Sequence, residues 1–348
     1  LLIALSHAAG CGPVYVYKAC AGDEEKCKPP GQKAEKPRVK NPARELRFHF
    51  LPVGPGLCTL IECPGSADTV LYDCGSANDA FGAPKFAYAQ QRAYIERIVN
   101  ARGGDLHLVI SHADPDHFSL IPYVTGRLKD RITRVVAGPP RHAPLGMMDE
   151  TFRYLQERLP AGAKIRSPAI TAADEPFHLK DFCGDADVHI LAADVGQSRN
   201  SKSIVMRFAH RKFSAVLPGD AEQETEAVAL GRLKKLQPTS PITLMQAPHH
   251  GSKTHGSNSR EWVEGTAPRI TVFSRGLAYD HPTCMAVCRY YNVAWPTKDE
   301  LREIDCGYRI LDRQPLHMER ALMDTHHDRY VRVSTDGDKE VRVDRSRD

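Results

Sequence analysis

Apolar positions along the chain fall into short β-type runs divided by polar turns. Leu46 to Val53 and Leu57 to Cys63 are two such runs, and Gly54-Pro55-Gly56 between them predicts a hairpin. Thr69 to Tyr72 predicts a third strand, which ends in Asp73-Cys74-Gly75-Ser76. Between 84 and 100 the spacing becomes helical, with Phe86, Tyr88, Tyr94, Ile95, Ile98 and Val99 set among polar residues and Gly103-Gly104 as the stop. Leu106 to Ile110 returns to strand pattern, so the order is strand, helix, strand, as in an α/β fold.

The alternation continues. Thr133 to Ala137 predicts a strand, Met148 to Leu159 an amphipathic helix, and 160 to 180 a long loop interrupted by Pro and Ala. Val188 to Leu191, Ser203 to Phe208 and Phe213 to Leu217 read as strands, the last two joined by a turn at His210-Arg211. A helix from about Glu222 to Leu236 and a strand from Ile242 to Gln246 follow. Tyr330 to Val333 and Val341 to Val343 flank Asp336-Gly337 as a closing hairpin expected to pair onto the sheet. Residues 21 to 45 are rich in Lys, Glu and Pro with almost nothing to bury, which predicts a linker. The expected organisation is therefore an N-terminal segment and linker over 1–45 and one folded domain over 46–348.

The candidate chemistry sits where strands end. Ser111-His112-Ala113-Asp114-Pro115-Asp116-His117 follows the fourth run and packs four metal-binding side chains, His112, Asp114, Asp116 and His117, into six residues. Two carboxylates on one tight loop repel each other, and burial disfavours their charge unless a cation lies between them. A lone acid, Asp220, stands at another strand exit, and Pro248-His249-His250-Gly251-Ser252 at a third. Strand-end loops of layered α/β folds converge on one edge, so these distant motifs can meet. Taken singly, His49, His142, His178 and His189 read as ordinary satisfied polar residues, and His326-His327 as surface residues.

Composition changes this picture little. The chain has 348 residues, 41% of them hydrophobic and 26% charged, with a formal net charge of +4. That is enough for a sizeable core, and too small a charge to argue for nucleic acid by itself. A basic groove from Arg199, Lys202, Arg211 and Lys253 would favour a polyanion, if those residues converge. No apolar run is long enough to span a bilayer. The ten cysteines contain no C-x-x-C pair, which argues against a zinc ribbon. Cys284 and Cys288 read as two buried thiols on one helix face. The apolar Leu1 to Leu5 and the small residues before Cys11 resemble the end of a bacterial lipoprotein signal, although Ala8 stands where such signals prefer Leu. That resemblance implies a lipid anchor at Cys11 and an extracytoplasmic location, with the cytoplasm as the alternative. After export, Cys20 and Cys27 would be placed to form a disulfide loop.

The motifs together resemble the metallo-β-lactamase-fold hydrolases, and within them the hydrolase domain of ComEC-type competence proteins and its stand-alone relatives. Residues 111–117 match that branch's S-H-x-D-x-D-H, where the commoner motif is H-x-H-x-D-H. Val53-Gly54-Pro55-Gly56 resembles its opening hairpin, Leu71-Tyr72-Asp73-Cys74-Gly75 its I-D-x-G strand end, and Asn200 with Ser203 its N-x-x-S motif. Leu217-Pro218-Gly219-Asp220, Pro248 to Thr254, and Tyr279-Asp280-His281-Pro282 match the three later motifs. The departures are Leu57 in place of an acid, long segments at 139–185 and 297–328, and no membrane channel in these residues.

The resemblance implies an αββα four-layer sandwich with two divalent cations at one edge, Mn²⁺ or Zn²⁺, with Mg²⁺ a further candidate. Asp116, His117 and His250 would form one metal site, His112 and Asp114 the other, and Asp220 would bridge them. Most two-zinc members supply a further His before the bridging acid, and Asp194 to Ser203 contains none. An oxygen-rich set favours harder ions and phosphodiester chemistry, hence a nuclease or phosphodiesterase with a nucleic-acid or other phosphodiester substrate. The alternative is an envelope hydrolase of a small ester, lactam or phosphocholine-type compound. Asp116, His249 and His281 are the catalytic candidates: His249, expected to point away from the metals, and His281 are both placed to contact the scissile phosphate or protonate the leaving oxygen. Asn200, Ser203, Ser252 and Lys253 are the substrate-binding candidates. No G-x-S-x-G elbow is present, so no serine nucleophile is called for.

Overall fold

The structure is a computed structural model, and it describes residues 44–80, 85–139, 147–170, 175–237, 241–276, 279–296, 302–307, 314–318, 320–326, 329–338 and 340–346. Cys11, Cys20, Cys27, His142 and His327 lie outside these residues. Seven strands form the first sheet in the order β16-β15-β1-β2-β3-β4-β5. They are β1 (Leu46–Phe50), β2 (Cys58–Glu62), β3 (Thr69–Cys74), β4 (Leu106–Ile110), β5 (Ile132–Ala137), β15 (Tyr330–Thr335) and β16 (Val341–Ser346). The second sheet also has seven, in the order β14-β11-β10-β9-β8-β7-β6. They are β6 (Phe177–His178), β7 (Asp187–Ala192), β8 (Val205–His210), β9 (Phe213–Leu217), β10 (Leu244–Gln246), β11 (Ile270–Phe273) and β14 (Leu322–Asp324). Strands β12 (Arg302–Cys306) and β13 (Gln314–Met318) pair separately.

Three apolar clusters make the layers. Phe48, Tyr72 and Val109 from the first sheet meet Met206, Phe208 and Leu217 from the second. The outer face of the first sheet packs on the helix Ala89–Arg102 through Ile95, Ile98 and Val99. The helices Gln223–Leu236 and Cys284–Val293 cover the outer face of the second through Leu230, Leu233, Val287 and Tyr290. Helix, sheet, sheet, helix is the expected αββα order. Tyr72 ties the two sheets near the active edge, donating its hydroxyl to the Ile204 and Leu217 carbonyls at 2.8 and 3.0 Å.

Most predicted elements are present with shifted ends. The helix read over 84–100 runs Ala89–Arg102 after a short 3-10 turn at Lys85–Tyr88, and Gly103 ends it at φ +78°. The closing hairpin pairs β15 against β1. Residues 160–170 and 175–180 are more tightly held than a free loop: Arg166 bridges to Val136, Ile170 bridges to Ala193, and Phe177–His178 is a short edge strand.

The cysteines require a correction. Cys58 is bonded to Cys74, Cys63 to Cys183 and Cys284 to Cys306, and Cys288 is disulfide-bonded too. Cys284 and Cys288 are therefore not buried thiols. Cys306 lies 22 residues beyond Cys284, and nothing in the local pattern signals that pairing. Cys63–Cys183 ties residues 120 apart, joining the end of β2 to the turn before β7.

Candidate metal centre

All the candidate ligands reach one edge of the sandwich. His112, Asp114, Asp116 and His117 leave the end of β4, Asp220 the end of β9, and His250 the end of β10. The β4 loop docks against Gly56 and Gly75, where a Cβ would stand 2.3 Å from the Gly75 carbonyl oxygen and 2.4 Å from that of Pro115. Any other residue there would push the loop away, which is the physical content of the two glycines in the V-G-x-G and I-D-x-G patterns.

His112, His117 and Asp220 converge, as do Asp116, His117 and His250, each set with ligand atoms within 4.8 Å of one another. Asp220 Oδ1 lies 3.0 Å from His117 Nε2 and 3.5 Å from His250 Nε2. Asp116 Oδ2 is 3.5 Å from His250 Nε2, and Asp114 Oδ2 is 3.5 Å from His112 Nε2. The other oxygen of Asp114 forms an ion pair with Arg199.

The ring orientations are fixed from behind. Asp73 is fully buried and accepts from Ser111 N at 2.6 Å, Ser111 Oγ at 2.7 Å and His117 Nδ1 at 2.8 Å. Ser111 Oγ, having donated to Asp73, accepts from His112 Nδ1 at 3.0 Å. His250 Nδ1 donates to the Ser274 carbonyl at 2.7 Å. Each Nδ1 thus carries the proton and each Nε2 presents a lone pair. His112 Nε2, His117 Nε2, His250 Nε2 and Asp220 Oδ1 are buried and make no hydrogen bond. Converging buried lone pairs without donors fit divalent cations, and a carboxylate or carbonyl behind each ring is the usual support of metal-binding histidines.

The electrostatics agree. Burial alone would lower the His117 imidazole, yet Asp220, Asp73 and Asp116 raise it well above its ordinary value. Burial opposes ionisation of Asp220, yet His117, His250 and His249 hold its carboxyl well below the usual range. The pocket stabilises positive charge.

Several substrate-side expectations change. His249 faces the centre: Asn200 Nδ2 donates to its Nε2 at 3.2 Å, and that nitrogen is 3.6 Å from Asp220 Oδ2. Both His249 and His250 adopt positive φ, 48° and 54°, and this turn is what brings two consecutive rings to one site. Ser203 is buried, and its hydroxyl accepts from Asp220 N at 3.1 Å. Ser252 is buried too, with its hydroxyl bonded to Thr254. Both hydroxyls are engaged within the site loops, where they receive the backbone amides of Asp220 and Thr254. Lys253 is exposed. Burial, with His250 and His249 beside it, pushes the His281 imidazole down to about 3. It is a neutral ring at neutral pH. The basic groove does not assemble: Lys202 is buried against Asp194, and Arg211 pairs with Asp338 in the tail hairpin.

Sequence reasoning gave no role to Asp73, Ser274, Asn258 or Glu226. Asn258 donates to the Pro248 and Ser252 carbonyls at 2.8 and 2.7 Å and so holds the double-histidine turn. Glu226, pushed up to about 7 by burial, receives the Asn258 and Ser259 amides. Only Asp73 left a signal, in its place at a strand end.

The fold and this edge define a hydrolase with a site built for divalent cations. Residues 51–261 match the family model of the metallo-β-lactamase superfamily, and the chain belongs to that superfamily of metal-dependent hydrolases. No curated protein sequence matches the chain. Among solved structures, CmlA from Streptomyces venezuelae, a diiron β-hydroxylase, is similar at TM-score 0.39 and 15% identity, over 67% of this chain and 45% of that one. Human tRNase Z, short form, is similar at 0.39 and 12%, over 65% and 91%. A metal-dependent hydrolase of the β-lactamase superfamily is similar at 0.38 and 13%, over 71% and 93%. The chain spans under half the length of the first two structures it matches, a CmlA mutant and CmlA itself. No helix among the described residues is long and apolar enough to cross a membrane.

Proposed function

We propose that this chain is a metal-dependent phosphodiesterase. The observation that carries the reading is the donor set: three carboxylates, Asp114, Asp116 and Asp220, against three imidazole nitrogens, on one buried edge. Asp116, His117 and His250 would hold one cation and His112 with Asp114 the other, with Asp220 placed beside His117 and His250 to serve them. Oxygen-rich sets suit Mn²⁺ and Mg²⁺ as well as Zn²⁺. When bound, two such cations acidify a water toward neutrality and offset the negative charge that grows on a phosphoryl group in flight.

The chain's own groups orient the substrate. Arg199, tethered to Asp114 and 42% exposed, can turn its free face to a phosphate oxygen. His249, with its Nε2 lone pair taken by Asn200, fixes that amide beside the centre. His281, neutral, donates a hydrogen bond to the leaving oxygen rather than a proton held in advance. Tyr279 is exposed, with its ring 5.8 Å from that of His281, and offers a face to a ring on the substrate.

Cation placement favours a short phosphodiester over a long nucleic acid. Lys202 and Arg211 are paired elsewhere, while Glu222 and Glu224 line a cavity of about 500 Å³ formed by residues that flank the site loops. The disulfides support maturation in an oxidising compartment, consistent with an enzyme of the cell envelope. The test is a panel on Mn²⁺-, Mg²⁺- and Zn²⁺-loaded protein: bis(p-nitrophenyl) phosphate, single-stranded and duplex DNA, RNA, a chromogenic lactam and a carboxylic ester. Hydrolysis of the chromogenic phosphodiester is expected, with nucleic acids slower. Cleavage of lactam or ester with no phosphodiester turnover would remove the proposal.

A further inference from the structure

A second group of ligand-type side chains lies on the ribbon at the far edge of the second sheet. His178 on edge strand β6 stands directly opposite His189 on β7 in the antiparallel register. Asp187 is two residues before His189 on the same strand, so all three side chains share one face. His178 Nε2 and His189 Nδ1 approach the same atom, Asp187 Oδ1, at 3.3 and 3.4 Å, and the two rings stack at 4.8 Å. Arg207, opposite His189 on β8, holds the other oxygen of Asp187 at 3.1 Å and so aims Oδ1 at the imidazoles. His189 Nδ1 is buried and makes no hydrogen bond.

We propose that His178, Asp187 and His189 form a peripheral binding site for a transition-metal cation of the Zn²⁺, Ni²⁺ or Cu²⁺ class. Two imidazoles and one carboxylate are the donors such ions prefer, whereas Ca²⁺ and Mg²⁺ call for more oxygens. Ligand bonds of about 2.0 to 2.1 Å around a tetrahedral ion place neighbouring ligand atoms about 3.4 Å apart, close to the spacings from Asp187 Oδ1. An imidazolium–carboxylate pair would bring one ring nitrogen into hydrogen-bond geometry with the carboxylate. Here both rings share one oxygen, and the buried nitrogen has no hydrogen bond. Three protein ligands leave the remaining position to water or to a donor from another molecule. The ion would join the two-residue strand β6 to the rest of the sheet beside the turn that carries Cys183.

The test is equilibrium dialysis of the whole chain against Zn²⁺ with metal counted by mass spectrometry, comparing wild type with His178→Ala and Asp187→Asn. Both substitutions are at half-exposed side chains outside the hydrolytic centre, so phosphodiester turnover should stay at the wild-type rate while bound Zn²⁺ falls by one equivalent per chain. A Cu²⁺ electron paramagnetic resonance spectrum gives an independent readout: the surface site should show coupling to two imidazole nitrogens in the wild type and to one in His178→Ala. Equal Zn²⁺ content in the wild type and both variants would overturn the proposal.

Discussion

Asp220→Asn is expected to lower phosphodiester turnover by about 10³-fold or more, since it removes the charge that a metal-assisted displacement places at the centre of the site. The side chain is buried at the exit of β9, with Oδ1 3.0 Å from His117 Nε2 and 3.5 Å from His250 Nε2, and Oδ2 3.6 Å from His249 Nε2. His117, His250 and His249 keep it ionised against the cost of burial. Asparagine preserves the shape, and the Ser203 hydroxyl still receives the backbone amide, so the fold should survive. The variant should bind fewer than two equivalents of Mn²⁺. Turnover within tenfold of wild type, at wild-type metal content, would show that Asp220 does not join the two sites.

Asp73→Asn should weaken metal binding by about 10- to 100-fold, the usual cost of removing the group behind a metal-binding histidine. The Asp73 carboxylate takes three hydrogen bonds, from Ser111 N, Ser111 Oγ and His117 Nδ1. An amide offers one acceptor oxygen and one nitrogen that donates, so either the ring of His117 or the Ser111 hydroxyl that supports His112 loses its partner. Chelator competition measures the affinity. Because Asp73 touches only the backs of the ligands, turnover should return when Mn²⁺ is raised to saturation. A variant that remains inactive at saturating metal would place Asp73 in the chemistry itself.

Much of the site was legible because its residues stand where strands end, and strand ends are readable from apolar runs. His112 to His117, Asp220 and His250 announce themselves in this way, and the sandwich follows from the same runs. The groups that hold them were not legible. Ser274, Asn258 and Glu226 act through contacts to the ends of other elements, at sequence separations of 24 residues for Ser274 to His250 and 32 for Asn258 to Glu226. The direction of His249 depends on its own left-handed backbone and that of His250, and Gly251 after them marks the turn without fixing which way the rings point. Disulfides such as Cys63–Cys183 depend on tertiary proximity, and a C-x-x-C search misses them. His178 and His189 looked isolated because antiparallel register, not spacing, makes them neighbours.

His112, Asp114, Asp116, His117, Asp220 and His250 are proposed to form one two-metal centre. The most direct measurement is an anomalous difference map from crystals loaded with Mn²⁺. Two peaks are predicted, separated by about 3.5 to 4 Å, with Asp220 between them, Asp116, His117 and His250 around one, and His112 and Asp114 around the other. A single peak, or two peaks that leave Asp114 and Asp220 unligated, would contradict it.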